Sequence, residues 1–177
     1  MMKSKILFAV FVLFCFALLF ISCRKKPVGK KLVTKNGLIY LDGSTVPYTG
    51  MEKAKVVDKM IEYNVVNGKK EGTFKIFYHD GNPQIVGQMF NNKNEGLWRY
   101  YYDSPQLESQ GNFKNDLPDS TWTWYFIDGK LKECGNFSSG MRIGKWISYN
   151  ETGTITSEKY FEDGKVVQTN KEKNKKS

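Results

Sequence analysis

The chain has 177 residues, which is enough for one domain with appendages and too few for most two-domain enzymes. Its formal net charge of +9 comes from the two ends, because residues 36–164 hold 14 basic and 17 acidic groups, a net charge of −3. A mildly acidic centre argues against a nucleic-acid-binding domain, which carries positive charge on its folded surface.

The first 22 residues are typical of a signal peptide. Lys3 and Lys5 precede an unbroken apolar run of 16 residues, Ile6 to Ile21. As a helix this run would be about 24 Å long, shorter than the roughly 30 Å hydrocarbon core, so a cleaved signal is favoured over a permanent span. The basic residues between Arg24 and Lys31 favour the alternative, an uncleaved anchor that keeps the chain in the cytoplasm.

The end of the signal, Phe20-Ile21-Ser22-Cys23, resembles the lipobox of bacterial lipoproteins. The resemblance implies that the Cys23 thiol receives a diacylglyceryl group, a palmitate-type anchor, and becomes the first residue of the mature chain. Residues 23–35 would then form a lipidated cysteine and a basic linker. Acyl chains contribute about 0.8 kcal/mol per buried CH₂, so several of them would hold the protein firmly at a membrane.

The centre of the chain repeats every 24 residues. One aromatic column consists of Phe74, Trp98, Trp122 and Trp146, and a glycine column consists of Gly87, Gly111 and Gly135. Pairs of turn-forming residues recur in two further columns: Asp80-Gly81, Ser104-Pro105, Asp128-Gly129 and Thr152-Gly153, and Asn67-Gly68, Asn91-Asn92, Asn115-Asp116, Ser139-Gly140 and Asp163-Gly164. Such pairs tolerate a positive φ or a tight bend, which indicates β-hairpins.

The segments between these turns are rich in aromatic and β-branched residues, as strands are. We therefore predict an all-β fold, an elongated antiparallel meander of about ten strands built from four to five 24-residue hairpins over residues 61–165. Residues 36–62 are expected to form an N-terminal cap, in which Met51 to Met60 could be a short helix or a strand. Residues 166–177 are expected to be a lysine-rich disordered tail.

The repeat resembles the MORN repeat in its bacterial variant form. The resemblance is carried by Gly72-Thr73-Phe74, Gly96-Leu97-Trp98 and Gly144-Lys145-Trp146, and Ser120 departs from the glycine of this pattern. It implies membrane or phospholipid association and protein scaffolding. Many bacterial variants also resemble a family described as the antitoxin part of toxin–antitoxin systems.

The residues available for catalysis are scattered in this meander. His79 and Cys134 would lie about five strands apart, roughly 24 Å, which is too far for a nucleophile and its base. No metal-ligand spacing is present in the sequence, and neither a metal nor a cofactor is expected. A pair of carboxylates on neighbouring strands, for instance Glu108 and Glu133, would be needed for an envelope-glycan hydrolase, and solvated cross-strand charges are the simpler interpretation.

The stripe of large aromatic residues has two interpretations. Its rings could pack on each other as the core of a single-layer sheet, which is the preferred interpretation. They could also form an exposed groove for a peptide, glycan or lipid. The candidate residues for such a surface are Trp98, Tyr100, Trp122, Trp124 and Trp146.

The sequence therefore predicts a non-enzymatic lipoprotein of the bacterial cell envelope, anchored at Cys23 and facing the periplasm or the exterior. Its partners would be the membrane and a protein or other envelope component, and not nucleic acid. The alternatives are an antitoxin-like regulatory module and, least favoured, a glycan hydrolase. The sequence leaves open the partner, which membrane is used and the oligomeric state.

Overall fold

The computed structural model describes residues 31–169, and all regular secondary structure in this range is β-strand. The strands, in chain order, are β1 (Leu32–Lys35), β2 (Leu38–Leu41), β3 (Gly50–Val56), β4 (Lys59–Val66), β5 (Lys69–Phe77), β6 (Pro83–Phe90), β7 (Lys93–Tyr101), β8 (Leu107–Lys114), β9 (Leu117–Tyr125), β10 (Leu131–Ser138), β11 (Met141–Tyr149), β12 (Ile155–Glu162) and β13 (Lys165–Thr169). The expected signal peptide, Cys23 and most of the lysine-rich tail lie outside the described residues. The described part of the chain contains no candidate membrane-spanning helix.

Strands β3 to β13 form one sheet of 11 strands in which each strand pairs with its neighbours in the sequence. Every pairing is antiparallel, which confirms the predicted all-β meander, with one strand more than the ten expected. At about 4.8 Å between strands, the sheet is roughly 48 Å across. Strands β1 and β2 form a separate two-stranded sheet.

The N-terminal hairpin β1–β2 docks on the turn between β4 and β5. The amide of Ile39 donates to the carbonyl of Gly68 at 2.8 Å, and the amide of Gly68 donates to the carbonyl of Tyr48 at 2.7 Å. Ile39 and Tyr48 are both buried. Met51 to Met60, for which helix and strand were both open, lies in β3, β4 and the turn between them.

Two strands include residues for which the sequence predicts no regular structure. β1 lies within the expected linker 23–35, and β13 includes the first residues of the expected tail 166–177. Residues 166–169 are thus strand rather than tail. Val166, Val167 and Thr169 are β-branched, and such residues favour extended backbone.

The asparagine-rich turns stack along one edge of the sheet. Asn91, Asn92, Asn115 and Asp116 have positive φ angles of 50° to 70°, a conformation that Asn and Asp tolerate better than other residues with a Cβ. Each turn bonds to the preceding hairpin: the Asn92 side-chain oxygen accepts from the Lys70 amide at 2.7 Å, and that of Asp116 accepts from the Asn94 amide at 2.7 Å. Successive hairpins are therefore linked through their turns as well as through the sheet.

At the opposite edge, tyrosine hydroxyls link neighbouring hairpins. The Tyr78 hydroxyl donates to the carbonyl of Tyr101 at 2.7 Å, and the Tyr102 hydroxyl donates to the carbonyl of Tyr125 at 2.6 Å. Phe126 is the equivalent residue of the next hairpin and has no hydroxyl. The distances are those of good O–H···O hydrogen bonds, and each bond joins one repeat to the next.

A β-bulge recurs in every repeat, two residues before the aromatic residue of the column Phe74, Trp98, Trp122 and Trp146. Gly72, Gly96 and Gly144 have φ angles of 74°, 66° and 63°, and Ser120, the third of these four equivalent positions in chain order, has a φ of 60°. The pairing register shifts beside all four residues. Ser120 therefore keeps the backbone of the repeat despite its departure from glycine.

Candidate binding surface

Each tryptophan of the 24-residue column lies over a glycine of the preceding strand. The three pairs are Trp98 over Gly87, Trp122 over Gly111 and Trp146 over Gly135, and a Cβ on any of these glycines would overlap the indole. The indole N–H then donates to the carbonyl of the residue after the glycine, at 3.0 Å, 3.0 Å and 3.2 Å. Ring and glycine thus join consecutive hairpins.

Phenylalanines fill the spaces between these indoles. Phe113 lies 5.7 Å from Trp98 and 5.2 Å from Trp122, with interplanar angles of 74° and 88°. Such edge-to-face contacts are favourable for aromatic rings. Trp98, Trp122 and Trp146 are 5 %, 6 % and 2 % exposed. We call this side of the sheet the aromatic face, and these three indoles are its core.

A cation covers each end of the aromatic face. The Lys70 ammonium is 5.0 Å from the centroid of Tyr63 and 5.8 Å from that of Phe74. At the other end the Arg142 guanidinium is 3.9 Å from the centroid of Trp146 and 5.5 Å from that of Phe161. These distances are typical of cation–π contacts, which cover the outermost rings.

Two of the five candidate residues keep part of their surface in solvent. Tyr100 and Trp124 are half-buried, two residues after the buried Trp98 and Trp122. The Tyr100 ring is 6.1 Å from Trp122, and the Trp124 ring is 5.7 Å from Trp146. Burial raises the pKa of the Tyr100 hydroxyl. These two rings are supported by the core and offer their remaining surface outward.

A polar group lies beside Trp124 on the same face. Glu133 pairs with Trp124 on one side and with Ser148 on the other. The Ser148 hydroxyl donates to Glu133 Oε1 at 3.3 Å, and Arg142 Nη2 is 3.7 Å from Glu133 Oε2. In the prediction from sequence, Glu133 has a different partner, Glu108, and Arg142 and Ser148 are missed. Ser148 interrupts a repeat column, because it follows Ile76, Tyr100 and Trp124 at the equivalent position. The only sequence signal for this polar group was that residues which break the repeat pattern fall in neighbouring strands.

The other chemically active residues are dispersed. His79 lies in the turn after β5, and Cys134 lies on β10. Strands β6 to β9 therefore separate them in the sheet. Glu108 on β8 and Glu133 on β10 are separated by β9, so the expectation that they stand on neighbouring strands is wrong. Among residues 31–169 no group of three or more His, Cys, Asp or Glu side chains could hold a metal ion.

The turn aspartates have local structural roles. Asp80 Oδ1 accepts from the Asn82 amide at 2.9 Å, and Asp128 Oδ1 accepts from the Lys130 amide at 3.0 Å. Hydrogen bonds from the Lys130 side chain and amide lower the pKa of Asp128. Such bonds close the turns, as Asx turns do.

The fold and its surface define a β-sheet repeat protein in which every hairpin packs on the next. The MORN repeat variant model matches residues 70–92, 94–115 and 142–163. These segments coincide with the hairpins β5–β6, β7–β8 and β11–β12. Over these three hairpins the chain is similar to the MORN repeat variant, as the resemblance implied. The hairpin β9–β10 lies between the matched segments, is itself unmatched and contains Ser120.

No curated protein matches the chain. MORN repeats are generally binding or scaffold modules, and the family is typically non-catalytic.

Proposed function

We propose that this protein is a non-enzymatic binding module of the bacterial cell envelope, held at a membrane by lipid on Cys23. The anchor is supported by the lipobox-like sequence around Cys23, and the orientation toward the periplasm or exterior follows from it. The binding role is supported by the general role of MORN repeats.

The observation that carries the binding role is the partial exposure of Tyr100 and Trp124 on a rigid support. Both rings pack against buried indoles and lie on strands inside the sheet, so little side-chain freedom remains to be lost on binding. Aromatic side chains held in this way give a large contact area at low entropic cost. A partner that covers them would also bury apolar surface.

The anchor is tested by growing cells with labelled palmitate. Wild type and Cys134→Ala should both incorporate the label, because Cys134 lies on strand β10 of the folded sheet. Cys23→Ala should incorporate none, since it lacks the thiol that receives the acyl group. Unchanged labelling of Cys23→Ala would contradict the anchor.

The binding surface is tested by a photo-crosslinking amino acid placed in the full-length chain in membranes. At position 100 it should form a discrete adduct, because Tyr100 lies on the aromatic face. At position 99 it should form none, because Arg99 is exposed on the other face and pairs with Val86 and Gln110. Equal adducts at both positions, or none at position 100, would count against a binding role for the aromatic face.

The orientation is tested by adding protease to intact spheroplasts. An exported domain is cut without lysis, whereas the cytoplasmic antitoxin-like module considered as an alternative is cut only after lysis. Cutting confined to lysed cells would therefore remove the envelope assignment and leave the repeat fold intact.

A further inference from the structure

We infer that Trp124, Glu133, Arg142 and Ser148 form a saccharide-binding site. The inference rests on the proposed function, since it names the class of ligand that the aromatic face would bind. It also narrows the surface from five aromatic residues to one ring with its polar neighbours.

The strand register places three of these side chains in one row. Trp124 on β9, Glu133 on β10 and Ser148 on β11 are cross-strand partners, so they project from the same face at about 4.8 Å spacing. Arg142 enters from β11, with its guanidinium stacked on Trp146 and directed toward Glu133. One aromatic surface and three polar groups therefore converge on a small area.

The polar groups have hydrogen-bonding capacity to spare. Glu133 accepts one bond from Ser148 and has Arg142 Nη2 at 3.7 Å, while a carboxylate can accept about four hydrogen bonds. A guanidinium carries about five N–H donors, more than this single contact uses. The Arg142 and Glu133 side chains are 39 % and 28 % exposed, so the remaining donors and acceptors can reach a ligand.

The balance of charge and apolar surface selects the ligand class. A pyranose ring has an apolar C–H face that can stack on an indole, and its rim of hydroxyls both donates and accepts hydrogen bonds. Glu133 would accept from such hydroxyls and Arg142 would donate to them. Glu133 and Arg142 together carry no net charge, so a phosphate headgroup or a cationic peptide would be attracted by one of them and repelled by the other. An acyl chain would leave both charges unsolvated.

The combination occurs once among the described repeats. One unit earlier, the positions equivalent to Trp124, Glu133, Arg142 and Ser148 hold Tyr100, Ser109, Pro118 and Trp124. That set retains rings but has no ion pair. A single saccharide site per chain is therefore expected, although the fold itself is repetitive.

The test uses the full-length protein in detergent, titrated calorimetrically with two probes, the N-acetylglucosamine tetramer and cellotetraose. At least one tetramer should bind with one site per chain and a Kd of about 1 mM or tighter. Glu133→Gln and Arg142→Gln should each weaken binding about tenfold or more. Arg99→Gln is the matched control, because it removes an arginine from the other face, and it should bind as wild type does.

Trp124→Tyr keeps an aromatic ring and is therefore less disruptive to the fold than Trp124→Leu. A cooperative thermal transition would show that each variant is folded. It should weaken binding less than Trp124→Leu, because a smaller ring still stacks. Absence of saturable tetramer binding to wild type would overturn the inference, as would equal affinities for wild type and Glu133→Gln.

Vesicles of phosphatidylglycerol and a tryptophan-containing cationic peptide serve as competitors. Suppose that the vesicles or the peptide bind, that Arg142→Gln or Glu133→Gln alters this binding, and that the tetramers do not displace it. That ligand would then replace the saccharide as the occupant of the site. If the tetramers fail while the crosslink from position 100 persists, the saccharide inference alone is lost. If the crosslink also fails, the proposed binding function is lost with it.

Discussion

The indole of Trp122 lies so close over Gly111 that no other amino acid fits at the glycine position. The two residues are also cross-strand partners, and the indole N–H donates to the carbonyl of Asn112, the residue after the glycine. One ring thus combines burial, close packing and a hydrogen bond across a single strand pair. The close packing over a glycine and the indole hydrogen bond recur at Trp98 and Trp146.

Gly111→Ala is expected to destabilise the fold by about 1–3 kcal/mol, because the methyl group overlaps the Trp122 indole and the sheet must shift to admit it. Trp122→Ala is expected to cost about 3 kcal/mol or more through the cavity it leaves. Urea unfolding of both variants measures these free energies.

The double variant provides the control for this pair. With Trp122 truncated, the methyl group of Gly111→Ala has space, so the two costs should not add. Additive costs in the double-mutant cycle would mean that the ring and the glycine do not interact as the geometry indicates. A loss below about 1 kcal/mol for Trp122→Ala would mean that this ring is not core.

Ser120→Gly is expected to stabilise the protein by about 0.5–1 kcal/mol. Ser120 has a φ of 60°, a conformation that costs a residue with a Cβ about 1–2 kcal/mol. Glycine avoids this cost, but it loses more conformational entropy on folding, which offsets part of the stabilisation. The hydrogen bond from the Ser120 hydroxyl to Asp119 Oδ2 at 2.8 Å is exposed and contributes little.

The reciprocal change, Gly96→Ser, is the matched control for Ser120→Gly. Gly96 has a φ of 66° and no heavy atom would touch an added Cβ, so any cost arises from the backbone alone. It should destabilise by a similar amount. A lower thermal midpoint for Ser120→Gly, or a higher one for Gly96→Ser, would contradict a shared bulge conformation.

Tyr102→Phe is expected to cost about 1 kcal/mol, because it removes the hydroxyl bonded to the Tyr125 carbonyl and leaves the ring in place. Phe126→Tyr tests the same link from the other direction, since its hydroxyl should reach the carbonyl of Tyr149, the equivalent position one repeat later. Denaturant midpoints should fall for the first variant and rise for the second. A neutral result for both would show that this edge is not stabilised by tyrosine hydroxyls.

Alkaline pH is expected to weaken the fold through Tyr100. Burial raises the pKa of its hydroxyl above the ordinary value of 10.0, so the folded state holds this proton more tightly than the unfolded state does. The stabilisation is complete below pH 10.0 and is lost as the pH rises through the higher pKa of the folded state. Burial and the Glu108 carboxylate raise the pKa of Tyr102 in the same direction.

Unfolding midpoints at about pH 9 and about pH 11 check this dependence. The drop between the two values should be smaller in Tyr100→Phe than in wild type, because that variant has one phenol fewer to ionise. An identical drop would assign the alkaline sensitivity to other groups.

The hairpins could be predicted from sequence because their causes are local. Asn-Gly and Asp-Gly pairs fix the turns, and the spacing of rings and glycines fixes which residues share a face. Because glycine has no side chain, a ring on the neighbouring strand can lie directly over it. The Trp98–Gly87 pair shows this arrangement. Pattern and period were sufficient for these features.

Other features depend on contacts distant in the sequence. Ser120 keeps a positive φ because strands on both sides hold the bulge, and this constraint cannot be read from a serine alone. Glu133 and Arg142 meet only because β10 and β11 pair in one particular register. The hairpin β1–β2 docks on Gly68 through backbone bonds that carry no side-chain signature.

The seating of each indole on the previous hairpin gives the array a direction of growth. A segment of 24 residues brings one new ring and one new glycine, so it both occupies the place offered by the hairpin before it and offers the same place to the hairpin after it. Tandem duplication within the gene could therefore lengthen the protein without any compensating mutation. Tyr63 stands where the glycine would be and its ring stacks on Phe74, so the seating of a ring over a glycine begins one repeat later, with Trp98 over Gly87.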